Sequence, residues 1–184
     1  GQKMSKSLGN FVTLKDAFKK YDPLVIRFFI LQSHYRSTLD FSDEAVGAAK
    51  AGLEKLVNTV RNIRMEIAKA ETEQRPETQE VDLQKYRSRF DEAMDDDFNA
   101  PQAIAVMFDL GKEMNQALNS YKKLSPSELR AVNTFFAECG ITILGILPGE
   151  SPVTVSADGN FQVELVQLLV DLRNEVRKQK LWAL

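Results

Sequence analysis

Between residues 46 and 67 the apolar side chains Val46, Ala49, Leu53, Leu56, Val60, Ile63 and Ile67 follow one another at gaps of three, four, three, four, three and four. A helix with that alternation keeps one narrow apolar seam through three heptads, and the seam has to be covered by neighbours lying nearly parallel to it. A strand, with its period of two, cannot carry such a pattern. Ser42 stands where an N-cap is needed, so the spacing predicts one long helix over about residues 43–71. The rest of the chain has to be able to pack along it.

The remaining punctuation is also helical. Thr13 with Asp16 three places on resembles a capping box for a short helix ending near Tyr21. Asp22-Pro23 restarts the chain as N-cap and first helical residue, ahead of the run Leu24, Val25, Ile26, Phe28, Phe29, Ile30, Leu31, which is apolar on all sides and therefore expected to be buried. SHYRSTLDFS is a connection with room for a brief extended piece. After the long helix comes a polar loop, ETEQRPETQE, at residues 71–80. A helix over about 81–94 buries Leu83, Tyr86, Phe90 and Ala93 or Met94. DDDFNAP interrupts, and Asn99 caps a helix across 100–120 whose inner positions are Ala103, Ile104, Met107, Phe108, Gly111, Met114 and Leu118. Ser125, Pro126 and Glu128 form a capping box with a first-turn proline. The helix they open buries Leu129, Val132, Phe135, Phe136, Cys139 and Ile143, with Pro148 as its stop. The expected fold is all-α, an antiparallel helical bundle over residues 42–148 preceded by a small segment at 1–41. Residues 149–160 read as a linker and 161–184 as the beginning of a further helical module. Neither end carries a natural boundary signal, so both are expected to lie inside a longer polypeptide.

Net charge is only −2 in 184 residues, but it is unevenly spread. Residues 1–36 hold seven Lys/Arg against two acids, whereas residues 71–99 hold ten acids against four bases. That polarity suits an oriented encounter with a polyanion, or else two solvated faces. No uninterrupted apolar run approaches the roughly 20 residues of a membrane span. The lone cysteine, Cys139, sits on an apolar stripe and reads as core in a chain expected to be cytoplasmic and monomeric.

Candidate chemistry concentrates at the amino end, in KMSKSLGN. Lys3 and Lys6 are compact charges suited to phosphate oxygens, Ser5 and Ser7 add hydroxyl donors, and Gly9 permits a sharp turn. Lys50, Arg61 and Arg64 fall within about 60° of one another around the long helix at 100° per residue. Arg173, Arg177, Lys178 and Lys180 crowd the last helix beside Trp182. Each set is a possible RNA contact or a solvated face. Asp95, Asp96 and Asp97 suit either a divalent ion or the start of the following helix, with the second favoured. His34, the sole histidine, reads as a packing or hydrogen-bonding residue, and no His/Cys metal set exists.

Three stretches together carry a family likeness: KMSKSLGNFVTLKDAFKKYDPLVIRFFILQSHYRSTLDFS with its HYRS…DFS joint, FDEAMDDDFNAPQAIAVMFDLGKEMN and RNEVRKQKLWAL. They resemble the cysteinyl-tRNA synthetases, class I aminoacyl-tRNA synthetases whose second signature motif is KMSKS. The resemblance implies a carboxyl-terminal part of such an enzyme: the ATP loop, a stem-contact segment and a DALR-type tRNA-binding bundle. It implies ATP as substrate with magnesium, cysteine and the cognate tRNA as partners, and Lys6 and Lys3 as catalytic, with Met4, Ser5 and Ser7 completing the ATP contacts. Arg36, Lys50, Arg61, Arg64, Arg173, Arg177 and Lys178 become the tRNA-contact candidates. Such enzymes also need a HIGH motif and a zinc site, and neither occurs in this sequence, so the isolated chain is expected to be inactive. The rival reading is a stand-alone helical bundle that recruits a protein through its apolar seam.

Overall fold

The computed structural model describes residues 12–78, 80–120 and 123–149. Helix α1 runs Leu14–Lys20, α2 Pro23–Leu31, α3 Asp43–Thr72, α4 Leu83–Asp95, α5 Ala100–Asn119 and α6 Pro126–Phe136, the last continuing as a π-helical segment, Ala137–Ile143. No strand occurs among the described residues, and the fold is an all-α helical bundle. The chain divides into two compact units, Gly1–Gly149 and Glu150–Leu184; the expected last helix, and the expected linker apart from Gly149, fall in the second, outside the described residues.

The caps explain where the helices begin. Thr13 Oγ1 accepts from the Asp16 N–H at 3.1 Å and donates to the Asp16 carboxylate at 2.6 Å. Asp22, Ser42 and Asn99 each accept a first-turn N–H of α2, α3 and α5, as their positions in the sequence require. Asp82 caps α4 in the same way.

The α3 seam is the spine. Val46, Ala49, Leu53, Leu56, Val60 and Ile63 are buried, and α2, α5 and α6 pack on α3. Ile67 is half-buried, and Ala70 closes the seam instead. Phe28 of α2 meets Phe108 of α5 edge to face at 6.4 Å between centroids. Contrary to expectation α2 is not covered all round: Ile30 is 45% exposed. Helix α4 packs on α5, from which only a four-residue turn separates it, and also touches α6. On α5 the expected Phe108 and Leu118 are half-buried, while Ala100, Val106 and Leu110 join the core.

The largest departure from the sequence pattern follows α6. Its line continues through Cys139, but Ile143, expected inside, is 47% exposed. The cause is the wider π-helical turn: the Leu144 N–H bonds the Cys139 carbonyl, five residues back, at 2.9 Å, so the apolar phase slips by one residue and Leu144 is buried instead. Gly140 makes the tight return possible. Its carbonyl takes the N–H groups of Ile146 and Leu147, and a Cβ there would stand 2.4 Å from Leu147 Cδ1. Gly145, at φ +61°, ends the segment before Pro148 is reached, and the Arg27 side chain lies over it, Nε donating to the Leu144 carbonyl at 2.8 Å.

The polar loop of residues 71–80 is pinned by side chains on both sides. Glu128 does not reach back to the Ser125 N–H as a capping box would. Its buried carboxylate accepts the N–H groups of Glu80 at 2.6 Å and Val81 at 2.7 Å and the Thr78 hydroxyl at 2.8 Å, while Thr78 Oγ1 serves the Ser125 N–H. Arg75 is inserted from the other side, bonding Glu66 at 2.6 Å and Glu73 at 2.8 Å with its side chain 5% exposed.

Two outcomes follow. Replacing Glu128 by Ala leaves two backbone donors without an acceptor, and urea unfolding should show a loss of about 3 kcal/mol; an unchanged midpoint would mean that the clasp contributes nothing. Burial pushes the Cys139 thiol up to about 12, and burial followed by the bond to Glu113 pushes the Tyr86 hydroxyl to about 12. Both hold their proton in the fold at a pH where the unfolded chain releases it. Their contribution is therefore intact below about pH 8.5 and lost progressively from there toward 12. The unfolding midpoint should be level from pH 7 to about 8.5 and fall beyond, with Cys139→Ala flattening the first part of the fall.

Candidate nucleic-acid interface

The turn after α2 is knotted locally by its own side chains. The Ser37 N–H bonds the His34 carbonyl at 2.8 Å, the His34 and Tyr35 rings stack at 4.8 Å, and the Arg36 guanidinium lies 5.4 Å from the Tyr35 ring centroid. Far away in sequence, the chain passes from α4 to α5 through two consecutive left-handed residues, Asp97 at φ 55° and Phe98 at φ 53°. Left-handed backbone costs a non-glycine residue roughly 1 kcal/mol or more. Asp97 joins the two segments: its carboxylate accepts from Tyr35 Oη at 2.6 Å and lies 3.0 Å from Arg36 Nε and 3.9 Å from His34 Nε2. Of the three aspartates, then, Asp97 serves as an anchor for the HYR turn, whereas Asn99 supplies the cap of α5.

What this joint leaves in solvent is aromatic and cationic. Phe98 is 70% exposed and Tyr35 63% exposed, beside an Arg36 side chain that is itself exposed. The Tyr35 ring beside the Arg36 guanidinium, and the exposed Phe98 ring of the adjoining turn, offer faces on which unpaired bases can stack. Neither aromatic ring stood out in the sequence. The available signal was a bulky apolar residue inside an acid-rich helix break, DDDFN, where a small or polar residue would fit the turn better.

The other basic candidates are placed as follows. Lys50 is exposed and 3.9 Å from Glu54, and Arg61 is exposed on the same side of α3. Arg64 is half-buried, with Nε donating to Asn133 Oδ1 of α6 at 3.0 Å, so the three do not present one free face. Lys3, Met4, Ser5, Lys6 and Ser7 at one end, and Arg173, Arg177, Lys178, Lys180 and Trp182 at the other, lie outside the described residues. Part of the acidic stretch 71–99 is engaged within the molecule: Glu71 pairs with Arg130, Glu73 with Arg75 and Lys123, and Asp97 with Arg36, while Asp91, Glu92, Asp95 and Asp96 are exposed. Among the described residues no group of three or more His, Cys, Asp or Glu is arranged to hold a metal ion, and no helix is long and apolar enough to cross a membrane. Cys139 is buried beneath Arg87, which also pairs with Glu138.

Comparison with known proteins gives the class. Residues 1–51 match the class I (C) catalytic domain of tRNA synthetases and residues 89–148 match the DALR domain. The particular relatives that are similar along the chain are cysteine--tRNA ligases. It is 44% identical to the cysteine--tRNA ligase of Chlorobium luteolum over 183 residues, covering 98% of this chain and 36% of that protein. It is 41% identical to the ligase of Thermococcus gammatolerans, covering 98% of this chain and 38% of that one. A third, from Shouchella clausii, is 40% identical with 99% and 37% covered. The chain thus spans a little over a third of the length of these curated relatives. The first match begins at residue 1 and takes in KMSKS, so that motif belongs to shared sequence rather than to chance, as a stand-alone bundle would require.

Phe98 packs little and holds a strained backbone, so the fold gains almost nothing from it. Phe98→Gly should leave the unfolding free energy unchanged or raise it by up to about 1 kcal/mol. A loss above about 1 kcal/mol would show that the ring is structural.

Proposed function

We propose that this chain is the ATP-loop and tRNA-binding part of a cysteine--tRNA ligase. The observation carrying the proposal is the likeness to such ligases along the whole chain, from the KMSKS loop through the DALR domain. In the complete enzyme a carboxylate oxygen of cysteine attacks the α-phosphorus of ATP. The bond from that phosphorus to the bridging oxygen breaks, and pyrophosphate leaves. The terminal ribose hydroxyl of the tRNA then attacks the cysteinyl carbonyl carbon and releases AMP. Lys6 and Lys3 neutralise charge that grows on the departing pyrophosphate, which favours the transition state over bound ATP. Met4, Ser5 and Ser7 shape the loop around the nucleotide.

The bundle supplies the tRNA contacts. Arg36 works together with the Tyr35 and Phe98 rings at the joint, Lys50 and Arg61 act from α3, and Arg173, Arg177 and Lys178 act from the second unit. Arg64, being tied to Asn133, acts chiefly by holding α3 against α6. Magnesium accompanies ATP as part of the substrate. The described residues do not compose a zinc site, so any zinc of the parent enzyme is held by residues elsewhere, and no step here runs through it. The enzyme works as a monomer in the cytoplasm.

In the complete ligase, Lys6→Ala should slow ATP–pyrophosphate exchange by several hundredfold, about 3–4 kcal/mol, with the loss in kcat rather than in KM for ATP. An exchange rate equal to that of the unaltered enzyme would remove Lys6 from the chemistry.

A further inference from the structure

We infer that the groove between α3 and α5 is a docking site for the sugar–phosphate backbone of RNA, distinct from the Arg36–Phe98 joint. The inference rests on the reading that the bundle binds tRNA, and assigns to that binding a surface the basic-face pattern did not indicate. The groove encloses about 710 Å³. Its rims repeat one pattern: Lys55, Asn58 and Asn62 on α3, and Lys112, Asn115 and Asn119 on α5. On each helix a lysine is followed by an asparagine three places on and another four beyond, so each set of three lies on one face. On α3 this face is turned about 100° from Lys50 and Arg61.

Among the described residues no carboxylate lines the groove, in a chain where acids outnumber bases by 26 to 24. The acids of α5 are drawn to its other flank: Asp109 pairs with Arg89 of α4 at 2.7 Å, and Glu113 accepts from Tyr86. At the floor the buried Thr59 hydroxyl donates to the Lys55 carbonyl at 2.9 Å, so it meets Asn115 as an acceptor. Asn115 Nδ2 donates to it at 3.1 Å, an arrangement that fixes the carboxamide and leaves its oxygen and second N–H available. The groove therefore offers two exposed cations together with carboxamides that both donate and accept. Those groups match phosphate oxygens and ribose 2′-hydroxyls. The space is much larger than one phosphate needs, and its charges stand on open rims instead of being buried, which suits a polymer backbone rather than a single small anion.

The test uses the complete ligase and a transcript of its cysteine-accepting tRNA, with affinity measured from about 50 to 300 mM KCl. The double variant K55Q/K112Q should reduce the slope of log affinity against log salt by about two and weaken binding roughly tenfold at 100 mM. Asn115→Ala should weaken binding with the slope unchanged. Lys85→Gln, an exposed lysine of α4 outside the groove, should change neither. An unaltered slope in the double variant, with the unaltered ligase still binding tRNA, would overturn the groove while leaving the ligase reading intact. Failure of the unaltered ligase to bind tRNA would instead overturn the ligase reading, and the groove with it. Competition by inorganic phosphate beyond that of chloride at equal ionic strength, lost in the double variant, would mark a small-anion site and overturn the polymer assignment.

Discussion

Covering the α3 seam is the requirement on which the bundle depends. A helix thirty residues long with one apolar stripe gains little from its own hydrogen bonds and much from burial of that stripe. No single partner is long enough: α2 has nine residues, α5 twenty and α6 eleven before its π-helical turn. Three helices therefore share the seam, and the connections between them have to arrive at set places. The tight joints of the structure follow from that sharing. Gly140 and Gly145 turn the chain sharply beyond α6, and Glu128 holds the returning loop at the start of α6.

These fasteners are charged side chains used as structural parts. An exposed ion pair adds little stability, because water and salt screen it. Glu128 and Arg75 differ in that each is buried and meets several partners at once, so removing either would leave several groups without a partner together. This use of charge bears on function as well. A segment that in sequence is strongly acidic would repel RNA if its carboxylates faced solvent. Within that segment Glu71, Glu73 and Asp97 are partly neutralised by Arg130, Arg75 and Arg36, and outside it Asp109 by Arg89, which lessens such repulsion without removing it.

Local chemistry was legible in the sequence and phase was not. Thr13, Asp22, Ser42 and Asn99 cap as read, because a cap depends only on a side chain and the two or three residues after it. The seam was legible for the same reason, since a heptad is a property of one helix. Ile143 and Leu144 were misplaced because the π-helical turn is set by contacts that are distant in sequence, among them Gly140 against Leu147 and Met107. The partners of Glu128 lie 47 to 50 residues away, and those of Asp97 more than 60, which no local pattern reveals. Within the candidate interface the same limit hid Phe98 and the paired Lys–Asn rims. The rims become visible only once α3 and α5 lie side by side.

Phe98 shows how a residue that the fold does not need can still be read. A left-handed backbone on a bulky side chain is unfavourable, and an exposed ring recovers nothing by packing. The strain is held in place from outside the turn: Tyr35 and Arg36 fix Asp97, while the Phe98 N–H bonds the Met94 carbonyl at 3.1 Å and Asn99 anchors α5 directly afterward. Because both flanks are fixed, the ring projects from a rigid base, and a partner that stacks on it meets a surface already ordered. Such pre-ordering lowers the entropic cost of binding. In physical terms the joint gives up stability in the free protein and keeps an aromatic face exposed, which is the observation behind its place in the proposed tRNA contact.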